Sequence, residues 1–224
     1  MAYSLCRAAS VGNDQWVLVM GAAGALGAAA VQVAKHFGAN VIAAAGSDER
    51  AQSAVELGAH ACVDYRAADL AAEVMRITDG KGANAVFENI ADPDLWPGAF
   101  NSLAHNGTLV TVGAHGGGQV KLDVRKLYRD GLTIMSGLYK SLPGDPDEAL
   151  ALAAAGTYRV SIHAVLPLSQ AAKAHRIASD RSIRGKIVMD PRNFPGNEQG
   201  YNDFYMPGVF IYENLYLATP TVYH

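Results

Sequence analysis

Trp16-Val-Leu-Val-Met-Gly-Ala-Ala-Gly-Ala-Leu-Gly27 joins five consecutive apolar residues to a glycine-rich turn, and the chain then stays apolar to Val31. Trp16–Met20 has the composition of a strand buried on both faces, and the stretch near 24–37 that of a buried helix. The run is short for a bilayer span, holds three glycines and follows Asn13-Asp14-Gln15 instead of a basic leader, so no membrane segment is expected. Read from Ala22, the spacing is A-x-G-x-x-G: Ala22, Ala23, Gly24, Ala25, Leu26, Gly27. This is a dinucleotide fingerprint with alanine at the first glycine position. Gly24 lets the backbone approach a pyrophosphate, Gly27 lets the helix pack on the strand, and the helix N-terminus offers N–H groups and its dipole to phosphate charge. Taken alone, the pattern equally describes a tight strand-to-helix turn. Its place after the first strand of a β-α-β-α series favours the nucleotide reading.

The alternation continues downstream. Strand candidates follow at Asn40–Ala45, Ala61–Asp64, Ala85–Ile90, Thr108–Gly113 and Leu132–Leu138. Helical stretches lie near 24–37, 48–58, 67–78 and 94–105, several closed by glycine at Gly38, Gly58, Gly80 and Gly107. Continuous apolar strands separated by helices predict an α/β fold with a doubly wound, Rossmann-type parallel sheet. Residues 145–190 change character. They read as an alanine-rich helix over Asp147–Gly156, an extended run His163–Leu168, a helix from an N-capping Ser169 to Ser179, and a closing strand Lys186–Met189. Pro167 marks the extended run as an edge strand or as its end. From Arg192 onward five of the ten tyrosines gather without a clear period. The domains expected are therefore 1–144, a dinucleotide-binding domain, 145–191, a return segment, and 192–224, an extension.

With 50% hydrophobic residues, 17% charged and a net charge of -3 over 224 residues, disorder along the whole chain is excluded. No global basic field or Lys/Arg run points to nucleic acid or an anionic membrane. Cys6 and Cys62 stand apart and outside any motif, which removes disulfide frameworks and redox pairs and makes a reducing, cytoplasmic setting the expectation. The seven histidines show no metal-ligand spacing, so no metal site is assigned. No Tyr-x-x-x-Lys pair, G-x-S-x-G elbow, H-E-x-x-H helix or G-x-x-x-x-G-K-[ST] loop occurs.

The end of the second strand bears on the choice of cofactor. An NAD site of this fold places an acid there for the ribose hydroxyls, whereas here the strand ends Ala44-Ala45-Gly46-Ser47. Ser47 and Arg50 have the donors to receive a 2′-phosphate, which favours NADP. Two other readings stand beside it: Asp48-Glu49-Arg50 as a solvated helix N-terminus, and Asp48 turning to the ribose to restore NAD.

Val17–Gly27, Ala45–Arg50, Leu57–His60, Val63–Arg66, Gly107–Gly113 and Arg184–Val188 together resemble the medium-chain dehydrogenase/reductase superfamily, and within it the zinc-independent quinone oxidoreductase branch. The resemblance runs in order over about residues 1–191. It implies an NADPH-dependent oxidoreductase of the quinone or enone reductase type, which moves hydride to an electron-poor carbon of a small electrophile. It also implies roles for particular residues. Gly24 to Gly27 resemble the pyrophosphate turn, and Ser47, Arg50 and Tyr65 the surroundings of the 2′-phosphate. Ile90 and the loop Ala114-His115-Gly116 resemble the borders of ribose and nicotinamide. Tyr139 and Ser141 are similar in place to contacts of the nicotinamide amide, and Arg181 to a basic residue on the cofactor side. Tyr65 reads equally as a packing tyrosine, and Ile90 as core. His115 reads first as an exposed or locally bonded loop side chain and only second as an acid/base group, and no catalytic residue is assigned.

Family members carry an N-terminal GroES-like β-barrel that supplies most of the substrate pocket. Met1-Ala2-Tyr3 resembles the helix that leads into the cofactor domain, so the barrel is expected to be missing here and residues 160–190 to be its C-terminal return. Two further hypotheses follow: a dinucleotide-binding module that needs a partner for turnover, and an interaction protein without nucleotide. The apolar sixth strand, at a sheet edge in this topology, resembles the family's dimer edge and implies a homodimer through residues 132–138.

Overall fold

Alternate side chains of the strand β1 (Trp16–Met20) bury on opposite sides: Val17 and Val19 belong to one core, Leu18 and Met20 to another. A strand covered on both faces requires that division. The computed structural model describes residues 1–137, 142–179 and 185–190, together with the backbone of strands 205–212 and 215–221. The chain divides into two compact units, Met1–Arg159 and Val160–His224.

In the first unit six parallel strands lie in the order β3-β2-β1-β4-β5-β6, with β2 Asn40–Ala45, β3 Ala61–Asp64, β4 Ala83–Glu88, β5 Leu103–Thr111 and β6 Thr133–Ser136. Val17 pairs with Val41 on one side and Ala85 on the other. The α/β, doubly wound Rossmann reading is what the chain adopts. Strand order reverses between β1 and β4, and in open sheets of this kind the crevice beyond the carboxyl ends at such a reversal receives ligands.

Helices cover both faces. α1 (Ala2–Ala8) and α2 (Ala25–His36) bring Leu5 and Val31 to the core of Val17 and Val19. α4 (Leu70–Ile77) and α5 (Trp96–Asn101) bring Leu70, Val74, Trp96 and Phe100 to the core of Leu18 and Met20. α3 (Asp48–Val55) lies between β2 and β3 in the chain, and the short α6 (Val124–Arg129) buries none of its residues. Capping is local: Ser47 Oγ accepts from the Arg50 amide at 3.3 Å and Asp69 from that of Ala72 at 3.1 Å. Gly38, Gly58 and Gly80 end their helices with φ of +83°, +102° and +77°, the left-handed conformation that favours glycine. α7 (Asp145–Ala154) belongs to this unit as well. Arg7 meets Asp145 at 3.3 Å, and Gln32 clamps the Arg159 backbone by accepting from its N–H at 2.8 Å and donating to its carbonyl at 3.0 Å.

Sequence and structure differ at several element boundaries here: β4, expected at Ala85–Ile90, and β5, expected at Thr108–Gly113, both begin and end earlier in the chain. The helix expected over 94–105 stops at Asn101, and strand begins at Leu103; Gly107 therefore lies inside β5 and closes no helix. Asn106, at φ +59°, lets the early part of β5 bend so that its amide donates to the Asp130 carbonyl at 2.8 Å. The sixth strand is shorter than 132–138, and Leu138 lies outside the described residues.

The second unit holds β7 (Ile162–Pro167), α8 (Ala171–Ser179), β8 (Lys186–Asp190), β9 (Tyr205–Tyr212) and β10 (Leu215–Thr221), with sheet order β7-β8-β10-β9. Pro167 closes β7, which lies at an edge, where a missing N–H costs least. Ser169 sits inside a 3-10 turn over Leu168–Gln170, ahead of α8, and does not serve as its N-cap. The extension, read as lacking a period, contains an antiparallel hairpin whose β10 runs parallel to β8. Among the described residues no helix is long and apolar enough to cross a membrane.

Candidate cofactor site

The turn after β1 is built from backbone. Gly21, at φ +62°, accepts from the Gly24 amide at 2.8 Å; the Ala22 amide donates to the Ala44 carbonyl of β2 at 3.0 Å. Gly24 is the N-cap of α2, in extended conformation and with no side chain closing the helix end. The first-turn amides of this twelve-residue helix are therefore left to a ligand or to water. A Cβ at Gly24 would meet only the Gly21 carbonyl, at 3.1 Å, whereas one at Gly27 would strike that same carbonyl and lie 2.7 Å from Ala22 Cα. Ala22 and Gly27 are buried, Ala23, Ala25 and Leu26 half-buried, and Gly24 exposed. This cradle of open backbone fits a diphosphate.

Beside it, the ends of β2 and β3 gather polar groups. A Cβ at Gly46 would meet the Tyr65 hydroxyl at 3.1 Å and Arg66 Nε at 3.2 Å, so both side chains reach across the end of β2. Burial pushes the Tyr65 phenol up, opposed by the charges of Arg66 and Arg50, while Asp64 and Asp92 push it the same way as burial. Tyr65 also packs against the core of Leu18 and Met20, so its ring and its hydroxyl serve different neighbours. Asp48, the acid that would restore NAD, is exposed, and its charge acts on Cys62. Arg66 had no place among the residues read from sequence as cofactor contacts. Its one sequence signal is its position directly after Tyr65.

Beyond β4, Asn89–Asp92 meets the loop after β5. Gly116 donates to the Ile90 carbonyl at 2.7 Å and Gly118 to that of Ala91 at 3.2 Å. A Cβ at Gly113 would strike the Asn89 carbonyl, and one at Gly116 would lie 2.6 Å from Asp92 Cα. Asn89 in turn faces the phosphate turn, because a Cβ at Gly21 would meet its Oδ1 at 3.0 Å. Ile90 thus has a core side chain and a loop-binding backbone. Ala114 and His115 are exposed and Gly116 half-buried. Glu88, also absent from the sequence reading, is fully buried, and its carboxylate accepts from the amides of Ile90 and Ala91. Burial pushes this carboxyl up, with Asp92 adding, and the two amides oppose it. Tyr139, Ser141 and Arg181 lie outside the described residues. Among the described residues no group of three His, Cys, Asp or Glu is arranged to hold a metal ion.

The sequence profile of the zinc-binding dehydrogenase family matches residues 25–155, more than half of the chain. Quinone oxidoreductase 1 of Escherichia coli K12 is 28% identical over 199 residues, which are 84% of this chain and 61% of that protein. The 2-haloacrylate reductase of a Burkholderia species is 30% identical over 203 residues, covering 85% of this chain and 60% of the relative. A crystal structure of E. coli quinone oxidoreductase complexed with NADPH superposes with a TM-score of 0.73 at 28% identity, covering 85% of this chain and 61% of the other. The chain spans about three fifths of the length of these relatives. With its six-stranded sheet, glycine turn and this match, the chain belongs to the zinc-binding dehydrogenase family, in the medium-chain dehydrogenase/reductase superfamily and on its zinc-independent quinone oxidoreductase branch.

Proposed function

We propose that the chain binds NADPH across the carboxyl ends of its six-stranded sheet and serves hydride transfer to an electron-poor carbon of a small quinone- or enone-type molecule. The observation that carries the cofactor choice is the end of β2. No acid stands there, while the Tyr65 hydroxyl and Arg66 meet beside Gly46 and the charge of Arg50 acts on Tyr65, a set of donors suited to a 2′-phosphate. The glycine turn and the first amides of α2 would hold the pyrophosphate. Ile90 and the 114–116 loop would border ribose and nicotinamide, and Tyr139, Ser141 and Arg181 complete the proposed contacts. When bound, NADPH supplies the hydride, from C4 of its nicotinamide. The protein's part is to bind, orient and exclude water, and no side chain is assigned a proton. The free thiols of Cys6 and Cys62 suit a reducing compartment.

Hydrogen bonds to a charged group contribute about 1.5–3 kcal/mol, so Arg50→Ala should weaken NADPH by roughly ten- to a hundredfold and leave NADH almost untouched. Calorimetry with both dinucleotides reads this directly, and an equal loss for both would sink the 2′-phosphate assignment. A second reading is a dinucleotide-binding module that turns over only with a partner supplying the substrate pocket. Oxidation of NADPH by a simple benzoquinone separates the two: turnover by the chain alone supports the enzyme, binding without turnover the module.

A further inference from the structure

Resting on the NADPH reading above, we infer that Glu88 is a positioning residue for the nicotinamide half of the cofactor, acting through the backbone of Ile90 and Ala91. Glu88 ends β4 at the point where strand order reverses, with no exposed surface. It accepts from the Ile90 amide at 2.9 Å, and both of its oxygens lie 3.0 Å from the Ala91 amide. Those bonds turn the two N–H groups inward. The peptide that joins Ile90 to Ala91 thereby aims its carbonyl at the loop after β5, where Gly116 donates to it, and Gly118 donates to the Ala91 carbonyl one peptide further on. Ala91 stands at φ +52°, a conformation that an alanine rarely adopts and that persists only where its surroundings hold it. One buried carboxylate and two loop amides supply that hold. The dipeptide therefore ties the loop after β5 to the end of β4, while Asn89 beside it abuts Gly21 of the phosphate turn. A carboxylate here offers acceptors only. A glutamine of the same size would face one of these N–H groups with its own NH₂.

The test compares two ligands on the intact chain: NADPH, and adenosine 2′,5′-bisphosphate, which carries the 2′-phosphate half and no nicotinamide. Glu88→Gln should raise the Kd for NADPH roughly ten- to a hundredfold and leave that of the bisphosphate within about twofold. Amide exchange at Ile90 and Ala91 should accelerate in the ligand-free variant. Unchanged NADPH affinity, or equal loss of both ligands, would overturn the positioning role. Glu88→Asp keeps the charge on a shorter arm. It should show a smaller split in the same direction, and it carries the comparison if the glutamine variant does not fold. A wild type that binds neither ligand refutes the cofactor reading, and the role of Glu88 falls with it. A wild type that binds both, with a variant that behaves identically, refutes Glu88 alone.

Discussion

Gly24 and Gly27 stand three residues apart and answer to different constraints. The space above Gly24 opens outward, and only the Gly21 carbonyl limits a side chain; at Gly27 the backbone of the preceding turn already fills it. Gly24→Val should therefore abolish dinucleotide binding in calorimetry while the melting temperature moves by only a few degrees. Gly27→Ala should lower stability by about 1–3 kcal/mol, as overpacking does, seen as a drop in the denaturant midpoint. A Gly24 variant that binds normally would show that the turn is structural. The glycine turn was legible because its glycines stand at fixed spacing after a strand, whereas Ser47 and Arg50 were singled out by residue type alone for the proposed 2′-phosphate contacts. Arg66 and Glu88 were not, because an exposed arginine in a loop and an acid at a strand end have no period. What gives them meaning is the nearness of Gly46 to Arg66 and of the Ile90 and Ala91 amides to Glu88, and the fold alone creates both.

At the level of elements, the parallel sheet was readable because each strand is a continuous apolar run and most helices stop at a glycine. Boundaries failed where a bend replaced a terminator, as at Asn106. The extension failed because Pro207, Gly208 and Pro220 interrupt what would otherwise read as strands, yet β9 and β10 form. The edge of the sheet carries the proposal of self-association. β6 has no partner on its outer side among the described residues; Ile134 and Met135 are half-buried, and nearby in sequence Val124 is 60% and Tyr128 72% exposed. A second copy pairing β6 with its own β6 would continue the sheet and cover that edge. Ile134→Lys places a charge in both halves of such a contact and should yield monomer by light scattering. A wild-type monomer, or a variant that stays dimeric, would remove the proposal.

Over the whole molecule, one buried cation links stability to pH. Lys186 on β8 is 5% exposed, and burial pulls its ammonium down from 10.5 to about 8. Between those values the unfolded chain keeps a proton that the folded chain has lost, so stability rises with pH across that window. Each pH unit is worth at most about 1.4 kcal/mol. Lys186→Met should flatten that rise in urea unfolding followed from pH 7.5 to 10.5; a slope identical to wild type would assign it to another group.

The division of β1 between two cores has a kinetic meaning as well. Val17 and Val19 serve the layer of α1 and α2, Leu18 and Met20 that of α4 and α5, so neither layer can peel away and leave the strand at rest. Partial openings that reach β1 are thereby excluded, and the first unit should come apart in a single step. The peptide protons of residues 17–20 would then exchange with deuterium only through complete unfolding, with one common opening free energy, higher than that of the edge strand β6. Exchange of any of these amides with a lower opening free energy than global unfolding would mean that partial openings do reach β1.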